Sequence, residues 1–317
     1  MNSKYFFYIQ NFVDTAFSNN VTIDTDSVAE DFHYTLKNNF NNEQLCELLI
    51  STGFIPDLYL PDSSKETLFT KLVEVLVCEW AIRMGFSSQF IKTKASYEDV
   101  NIILNNKTIV CDAKTFRLSR SQQAPNAKDF LKLEDIRKWL YRYDSPLGGL
   151  ITYPDTHEWS RSSDVYQYCT TSDVPTIMLP YKYLALLLHF KPKYNPNSLE
   201  ELWNYNKLFP ASLSKNMKGG NKSAYWAVIN ATLLQLLQIS SYEMSSYLNY
   251  CNEIIHNCIL SNCNIIKKKR EEIIENIKTE IQNTNEDKLR EILTNYRIKS
   301  ETDNLTQIIN RIEESRL

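Results

Sequence analysis

Several features that define fibrous, linker-rich or membrane proteins are scarce in this sequence. It has only six glycines and ten prolines in 317 residues and no long Pro/Ser/Gly run, which argues against a collagen-like, low-complexity or disordered chain. No stretch reaches 18 consecutive apolar residues, and the first residues, MNSKYFFYIQNFVDTAF, lack the pattern of a signal peptide. The sequence therefore predicts a cytoplasmic protein that does not enter the membrane.

Paired cysteines are also missing. There are seven cysteines, an odd number without CxxC spacing, which favours reduced thiols over a disulfide framework. Cys251, His256, Cys258 and Cys263 lie close together in sequence, but their spacing lacks the knuckles and the His pair of a zinc finger. We interpret them as core residues of a helix.

The apolar residues that are present indicate a mixed α/β fold. They make up 43% of the chain, enough for a large core. Helical periodicity dominates residues 1–58, short β-branched runs alternate with helices over 59–210, and helices return over 211–317. We predict a single 317-residue domain with an α/β core of a mixed central sheet flanked by helices, and with helical N-terminal and C-terminal regions.

A predicted hairpin brings three charged residues together. Asn105 and Asn106 separate two β-branched runs and tolerate the positive φ of a tight turn. If the chain turns there, Asp99 faces Asp112 across the hairpin, and the period of two places Lys114 beside Asp112 on the same side. An edge hairpin with exposed charges is the alternative.

Two opposed carboxylates repel each other unless a positive charge lies between them. Oxygen ligands of this kind suit Mg²⁺, which takes one or two carboxylates together with water and substrate phosphate. Lys114 would then orient or deprotonate a metal-bound water. The predicted chemistry is phosphodiester hydrolysis, with Asp99 and Asp112 as metal ligands.

A third acid is expected on the long helix predicted after Pro61, Asp62 and Ser63 and before Gly85. The candidates are Glu66, Glu74 and Glu79. Glu66 falls in the first turn, where a carboxylate also stabilises the helix dipole, so the sequence leaves its role open between catalysis and helix capping.

The segment after Lys114 mixes side chains that read base edges. Arg reads guanine, Asn reads adenine and Asp accepts from cytosine, and between Lys107 and Arg142 nine basic residues outnumber four acidic ones. A polar loop followed by a helix start is the alternative. The candidate DNA-binding residues are Arg117, Ser119, Arg120, Asn126, Lys128 and Asp129.

The segment DAKTFRLSRSQQAPNAKDF, residues 112–130, resembles the active-site and recognition segment of the HindIII-like restriction endonucleases. ETLFTK at 66–71, EDV at 98–100, YLALLLHF at 183–190 and LEELWNY at 199–205 agree in the same order. The resemblance implies a PD-(D/E)XK fold and a homodimer that cuts both strands of palindromic duplex DNA with Mg²⁺. It assigns Asp99 and Asp112 to the metal, Lys114 to water activation and Glu66 to a family acid.

The sequence departs from that family at two points. Glu98 stands where the PD-(D/E)XK name has proline, and the segment 119–130 is about two residues longer than its counterpart. The longer segment concerns base recognition and leaves the catalytic residues untouched. If the family's base reading is retained, AAGCTT is the first target to try, and a cognate DNA methyltransferase is expected as a functional partner. The alternatives are a nicking or repair nuclease of the same superfamily and a non-catalytic DNA-binding protein.

Overall fold

The computed structural model describes residues 5–19, 23–92, 96–119, 127–155, 165–169, 173–210 and 222–314. These fall into two compact units, residues 1–260 and residues 261–317. No described helix is long and apolar enough to span a bilayer, and all seven cysteines are free thiols.

The chain begins with helices, as the periodicity predicts. They are α1 (Tyr8–Asn19), α2 (Thr25–Asn39), α3 (Asn42–Ile50) and α4 (Ser64–Met84). The side chain of Ser63 caps the N-terminus of α4, and Gly85 ends it in the left-handed region at φ 96°. Both predicted boundary signals of the long helix are thus confirmed.

A five-stranded mixed sheet lies at the centre of residues 1–260, in the order β2-β3-β4-β6-β7. The β2–β3 and β3–β4 pairs are antiparallel, and the β4–β6 and β6–β7 pairs are parallel. Its strands are β2 (Ser87–Phe90), β3 (Val100–Leu104), β4 (Lys107–Ala113), β6 (Pro146–Tyr153) and β7 (Thr176–Pro180). The predicted mixed sheet is confirmed.

The predicted hairpin turns at the expected place. Leu104 pairs with Lys107 and Val100 with Cys111, while Asn105 and Asn106 have φ values of 50° and 61°. Positive φ at both central residues belongs to the type I′ turn, whose twist matches that of the strands. The register predicted from this turn is therefore the observed one.

Helices flank the sheet. The long helix α4 packs against β2 and β3, whereas α6 packs against β6 and β4. The shorter elements between the strands are α5 (Ala127–Leu131), α6 (Leu133–Leu140), α7 (Val165–Tyr168), α8 (Tyr181–His189) and α9 (Tyr205–Leu208). A separate pair of short parallel strands, β1 (Phe54–Ile55) and β5 (Phe116–Arg117), joins the loop before α4 to the chain after β4.

The segment LEELWNY, residues 199–205, is not an α-helix over most of its length. Most of it lies in a 3₁₀ helix, Pro196–Trp203, which follows another short one, Lys191–Lys193. Leu199 and Leu202 are its buried leucines, and their spacing of three matches the three residues per turn of a 3₁₀ helix.

The C-terminal part is helical, as predicted. It contains α10 (Lys222–Leu237), α11 (Ser241–Gln282) and α12 (Glu286–Glu314). Cys251 and Cys258 are buried on α11, which agrees with their interpretation as core residues. That interpretation is wrong for Cys263, which is exposed, as is His256. The second unit consists of the C-terminal part of α11 together with the whole of α12.

Candidate active site at the end of the β3–β4 hairpin

The chain before β3 brings Asp99 close to Asp112. The N–H of Asp99 donates to the carbonyl of Cys111 at 3.0 Å, the residue that pairs with Val100, so the ladder shifts by one residue at Asp99. The N–H of Ala113 donates to Oδ2 of Asp99 at 2.8 Å. Asp112 is itself only 6% exposed. The structure thus brings the two carboxyl groups close together, one residue out of the register that the turn predicted.

Lys114 lies immediately beyond β4, where its main chain is fixed at both polar groups. Its N–H donates to the carbonyl of Thr152 at 2.8 Å, and its carbonyl accepts from the hydroxyl of Tyr181 at 2.8 Å. Nζ of Lys114 lies 2.5 Å from Oδ2 of Asp112. The predicted group of Asp99, Asp112 and Lys114 is therefore assembled at one end of the sheet.

Burial and repulsion act together on Asp99. Burial is the main cause that raises the pKa of Asp99 well above its ordinary value, and the charges of Asp112 and Glu74 raise it further. The hydrogen bond from Ala113 and the charge of Lys114 oppose this without cancelling it. Three carboxyl groups thus share a low-dielectric region, which is the electrostatic setting that a dication would stabilise.

A cavity of about 490 Å³ opens beside Asp99. Residues of α4 line it together with the segment before β3 and Thr115, which follows Lys114. The hydroxyls of Thr70 and Thr115 lie 3.1 Å apart and join α4 to this end of the sheet. The α4 residues of the wall are Glu66, Thr67, Thr70, Lys71 and Glu74.

The three acids proposed on α4 lie in different surroundings. Glu66 accepts from Arg117 at 2.9 Å and from the N–H of Asp62 at 2.7 Å, so its carboxylate fastens the start of α4. Glu74 lines the cavity and raises the pKa of Asp99.

Glu79 has a structural environment. It is 1% exposed and lies 2.5 Å from Nε of Arg83 and 3.1 Å from Nε2 of His33. The sequence left the choice among the three acids open. Glu66 and Glu74 both line the cavity, and it is Glu74 whose charge acts on Asp99.

Glu98, at the position of the proline in the family pattern, is also buried. It is 2% exposed, and the hydroxyl of Tyr143 donates to its Oε1. That contact offsets part of the cost of burying the carboxylate, while its other oxygen, Oε2, is buried without a hydrogen-bond partner among the described residues.

Two of the predicted DNA-binding residues have partners within the protein. The guanidinium of Arg117 donates to the carbonyls of Pro56 and Tyr59 at 3.2 and 2.9 Å, besides Glu66. The N–H and the hydroxyl of Ser119 both donate to Oδ1 of Asp57, at 3.2 and 2.5 Å. The beginning of the recognition segment is thus tied to the loop before α4.

The other four candidates for base reading have no described side chains. Arg120 and Asn126 lie outside the described residues, and Lys128 and Asp129 belong to α5 without described side chains.

The basic excess between Lys107 and Arg142 is smaller in the folded chain than in the sequence. Of the seven basic residues in this stretch whose side chains the structure describes, five form ion pairs, some of them with acids from elsewhere in the chain. These are Lys107, Lys114, Arg117, Arg137 and Lys138. A count along the sequence could not find Glu66, Asp173 and Glu200, which fold against the stretch.

The donor set at the hairpin fits a hard cation that keeps part of its water. Within the described ranges, no group of three or more His, Cys, Asp or Glu side chains forms a ready-made metal site. Two opposed carboxylates nevertheless match Mg²⁺, which binds one or two carboxylates and completes its shell with water and phosphate oxygens. Enzymes that hydrolyse DNA at specific sites generally need such an ion.

Comparison with known proteins identifies the class to which this fold and site belong. The chain matches the family model described as HindIII restriction endonuclease over residues 10–307, nearly its whole length. It therefore belongs to the HindIII restriction endonuclease family.

Among individual proteins, the chain is similar to the type II restriction enzyme HindIII of Haemophilus influenzae. The two are 29% identical over 170 residues, which are 53% of this chain and 54% of that protein. The matched part thus spans about half the length of this relative.

Proposed function

We propose that the chain is a type II restriction endonuclease that hydrolyses phosphodiester bonds in both strands of duplex DNA. The observation that carries the proposal is the group of Asp99, Asp112 and Lys114 at the end of the hairpin, with 2.5 Å between Lys114 Nζ and Asp112 Oδ2. Membership of the HindIII family supports the substrate class. The PD-(D/E)XK fold is part of this proposal.

Asp99 and Asp112 would hold Mg²⁺ between the hairpin and the scissile phosphate. The bound ion would lower the pKa of an attacking water and stabilise negative charge on the phosphate. Lys114, fixed by Thr152 and Tyr181 through its main chain, would orient that water and counter the negative charge on the phosphate. The family resemblance assigns the role of third acid to Glu66. Glu74 is the alternative for that role, because its charge acts on Asp99.

Base recognition is proposed for the segment from Arg117 to Asp129. Arg117 and Ser119 would set the position of the segment through their contacts with the loop before α4, while Arg120, Asn126, Lys128 and Asp129 would face the bases. AAGCTT is the first target to test.

A type II enzyme that cuts both strands of a palindrome needs two sites related by a twofold axis, so a homodimer follows from the proposal. A DNA methyltransferase of the same specificity would protect the host DNA, and both proteins would work in the cytoplasm.

The experiment is incubation of the purified chain with unmethylated plasmid and phage DNA, with Mg²⁺ or with EDTA, followed by sequencing of the ends. Discrete Mg²⁺-dependent fragments that share one palindrome are expected. Single-strand breaks alone would favour a nicking or repair nuclease, and DNA that is bound but intact would favour a non-catalytic binding protein.

A further inference from the structure

Lys71 is a buried lysine beside the candidate active site. It is 2% exposed, although lysine is almost never fully buried unless it is paired. Its Nζ donates to Oε2 of Glu74 at 2.8 Å and to the carbonyl oxygen of Ile91. The ring of Phe90 lies 5.5 Å away. The ammonium group is thus enclosed by one carboxylate, one carbonyl and an aromatic face.

The two hydrogen-bond partners of Lys71 belong to different elements of the cavity wall. Glu74 belongs to α4 and lines the cavity together with Asp99. Ile91 directly follows β2, and its N–H donates to the carbonyl of Asp99 at 3.1 Å. The ammonium group of Lys71 therefore links α4, which carries Glu74, to Ile91, which hydrogen-bonds to the main chain of Asp99.

Stability alone is a poor explanation for a charge at this position. Replacing a buried ion pair with apolar residues of similar volume is often neutral or stabilising, because both charges lose their hydration on burial. The neighbours of Lys71 on α4 include the buried Leu72 and Val75, so an apolar residue at 71 would suit the helix. What the lysine adds is a fixed direction for the carboxylate of Glu74.

We propose that Lys71 is a positioning residue of the nuclease site, one that fixes the carboxylate of Glu74 relative to Asp99. The inference rests on the proposed function and extends it, since it concerns how the metal-binding carboxylates are held. Residues that orient metal ligands typically change metal affinity or activity about 10–100-fold when they are replaced. The same range is expected for the loss of the Lys71 ammonium.

The test compares the wild-type chain with Lys71→Met, Glu74→Gln and the double variant. Mn²⁺ binding to the free protein is measured by calorimetry, and single-turnover cleavage of duplex DNA is measured over a range of Mg²⁺ concentrations. The matched control is Lys269→Met, because Lys269 also precedes a glutamate by three residues, Glu272 at 3.4 Å, but both side chains are about half exposed.

Lys71→Met is expected to weaken Mn²⁺ binding and to raise the Mg²⁺ requirement of cleavage about 10–100-fold, while DNA affinity and the control remain unchanged. In the Glu74→Gln background, the same replacement should have no further effect, because the carboxylate to be positioned is gone. Lys71→Met leaves the buried carboxylate of Glu74 without its cation, and the double variant removes that charge as well. Glu74→Gln can therefore be compared with the double variant even where Lys71→Met does not fold.

Additive losses in the double variant, or Mn²⁺ binding by Lys71→Met equal to that of the control, would overturn the inference. A wild-type protein that binds Mn²⁺ but cuts no DNA would reject the proposed function alone. In that case the calorimetric comparison of the variants would still test the positioning role of Lys71. A wild-type chain that binds no Mn²⁺ would reject both.

Discussion

Nζ of Lys114 lies 2.5 Å from Oδ2 of Asp112, although the strand that carries Asp112 ends between them, at Ala113. The alternation of a β-strand continues through Lys114 because its N–H still donates to the carbonyl of Thr152. Lys114 thus extends the strand by one residue, and its ammonium group lies next to the carboxylate of Asp112. The first predictions concern these two side chains.

Lys114→Ala should bind duplex DNA with wild-type affinity and fail to cut it. A group that moves or orients a proton in the transition state typically contributes about 10²–10⁴-fold, so the single-turnover cleavage rate should fall by that factor. Lys138→Ala is the control, because Lys138 is an exposed residue that pairs with Asp135 far from the cavity. Robust cleavage by Lys114→Ala would remove the proposed role of Lys114.

Asp99→Asn should abolish Mg²⁺-dependent cleavage and leave the metal-free protein at least as stable as the wild type. Asparagine can still accept from the N–H of Ala113, and the repulsion from Asp112 and Glu74 that raises the pKa of Asp99 is relieved. Thermal unfolding in EDTA and cleavage in Mg²⁺ measure the two effects. A marked loss of thermal stability would indicate a structural role for Asp99 instead.

Glu74→Gln and Glu66→Gln separate the two acids of the cavity wall. Glu74→Gln should reduce cleavage more strongly, because Glu74 faces Asp99, whereas Glu66 is occupied by Arg117 and the N–H of Asp62. Glu66→Gln should mainly reduce stability, by about 1–3 kcal/mol. The reverse order of cleavage rates would return the catalytic role to Glu66.

Glu79→Gln should lower stability in a pH-dependent way. Burial alone raises the pKa of Glu79, but the hydrogen bonds from His33 and Arg83 outweigh it and leave the pKa below its ordinary value. A lowered folded-state pKa contributes stability above the unfolded-state pKa, about 4.3, and this stability is lost as the pH falls through the folded-state value.

Urea unfolding at pH 7 and at pH values from 5 down to about 2, which passes below the lowered folded-state pKa, measures this effect. Glu79→Gln should lose roughly 3 kcal/mol at pH 7 and approach the wild type at the lowest pH. A stability difference that is constant over this range would contradict the assignment of Glu79 to a charged structural network.

Much of the fold was readable from the sequence because its signals are local. Ser63 and Gly85 mark the ends of α4, and Asn105 with Asn106 defines the turn that sets the strand pairing from Leu104 with Lys107 to Val100 with Cys111. Each of these depends on residues close together in sequence, where capping and turn chemistry are specific.

The rest of the site depends on contacts distant in sequence. Lys71 meets Ile91 across 20 residues and Arg117 meets Glu66 across 51, and no periodicity predicts such partners. Lys71 did carry one signal, since it precedes Glu74 by three residues on a helix whose neighbouring positions are apolar. The sequence also overestimated the basic character of residues 107–142, because the acids that neutralise it come from other elements.

The central claim is that Asp112 belongs to a metal-dependent site that cuts DNA. The most direct test is parallel incubation of the wild type and Asp112→Asn with unmethylated phage DNA in Mg²⁺. The account predicts discrete fragments with one common palindromic end for the wild type, and a rate lower by roughly 10³-fold for Asp112→Asn, since a bound metal supplies several kcal/mol of transition-state stabilisation. Equal cutting by both proteins, or intact DNA with the wild type, would contradict it.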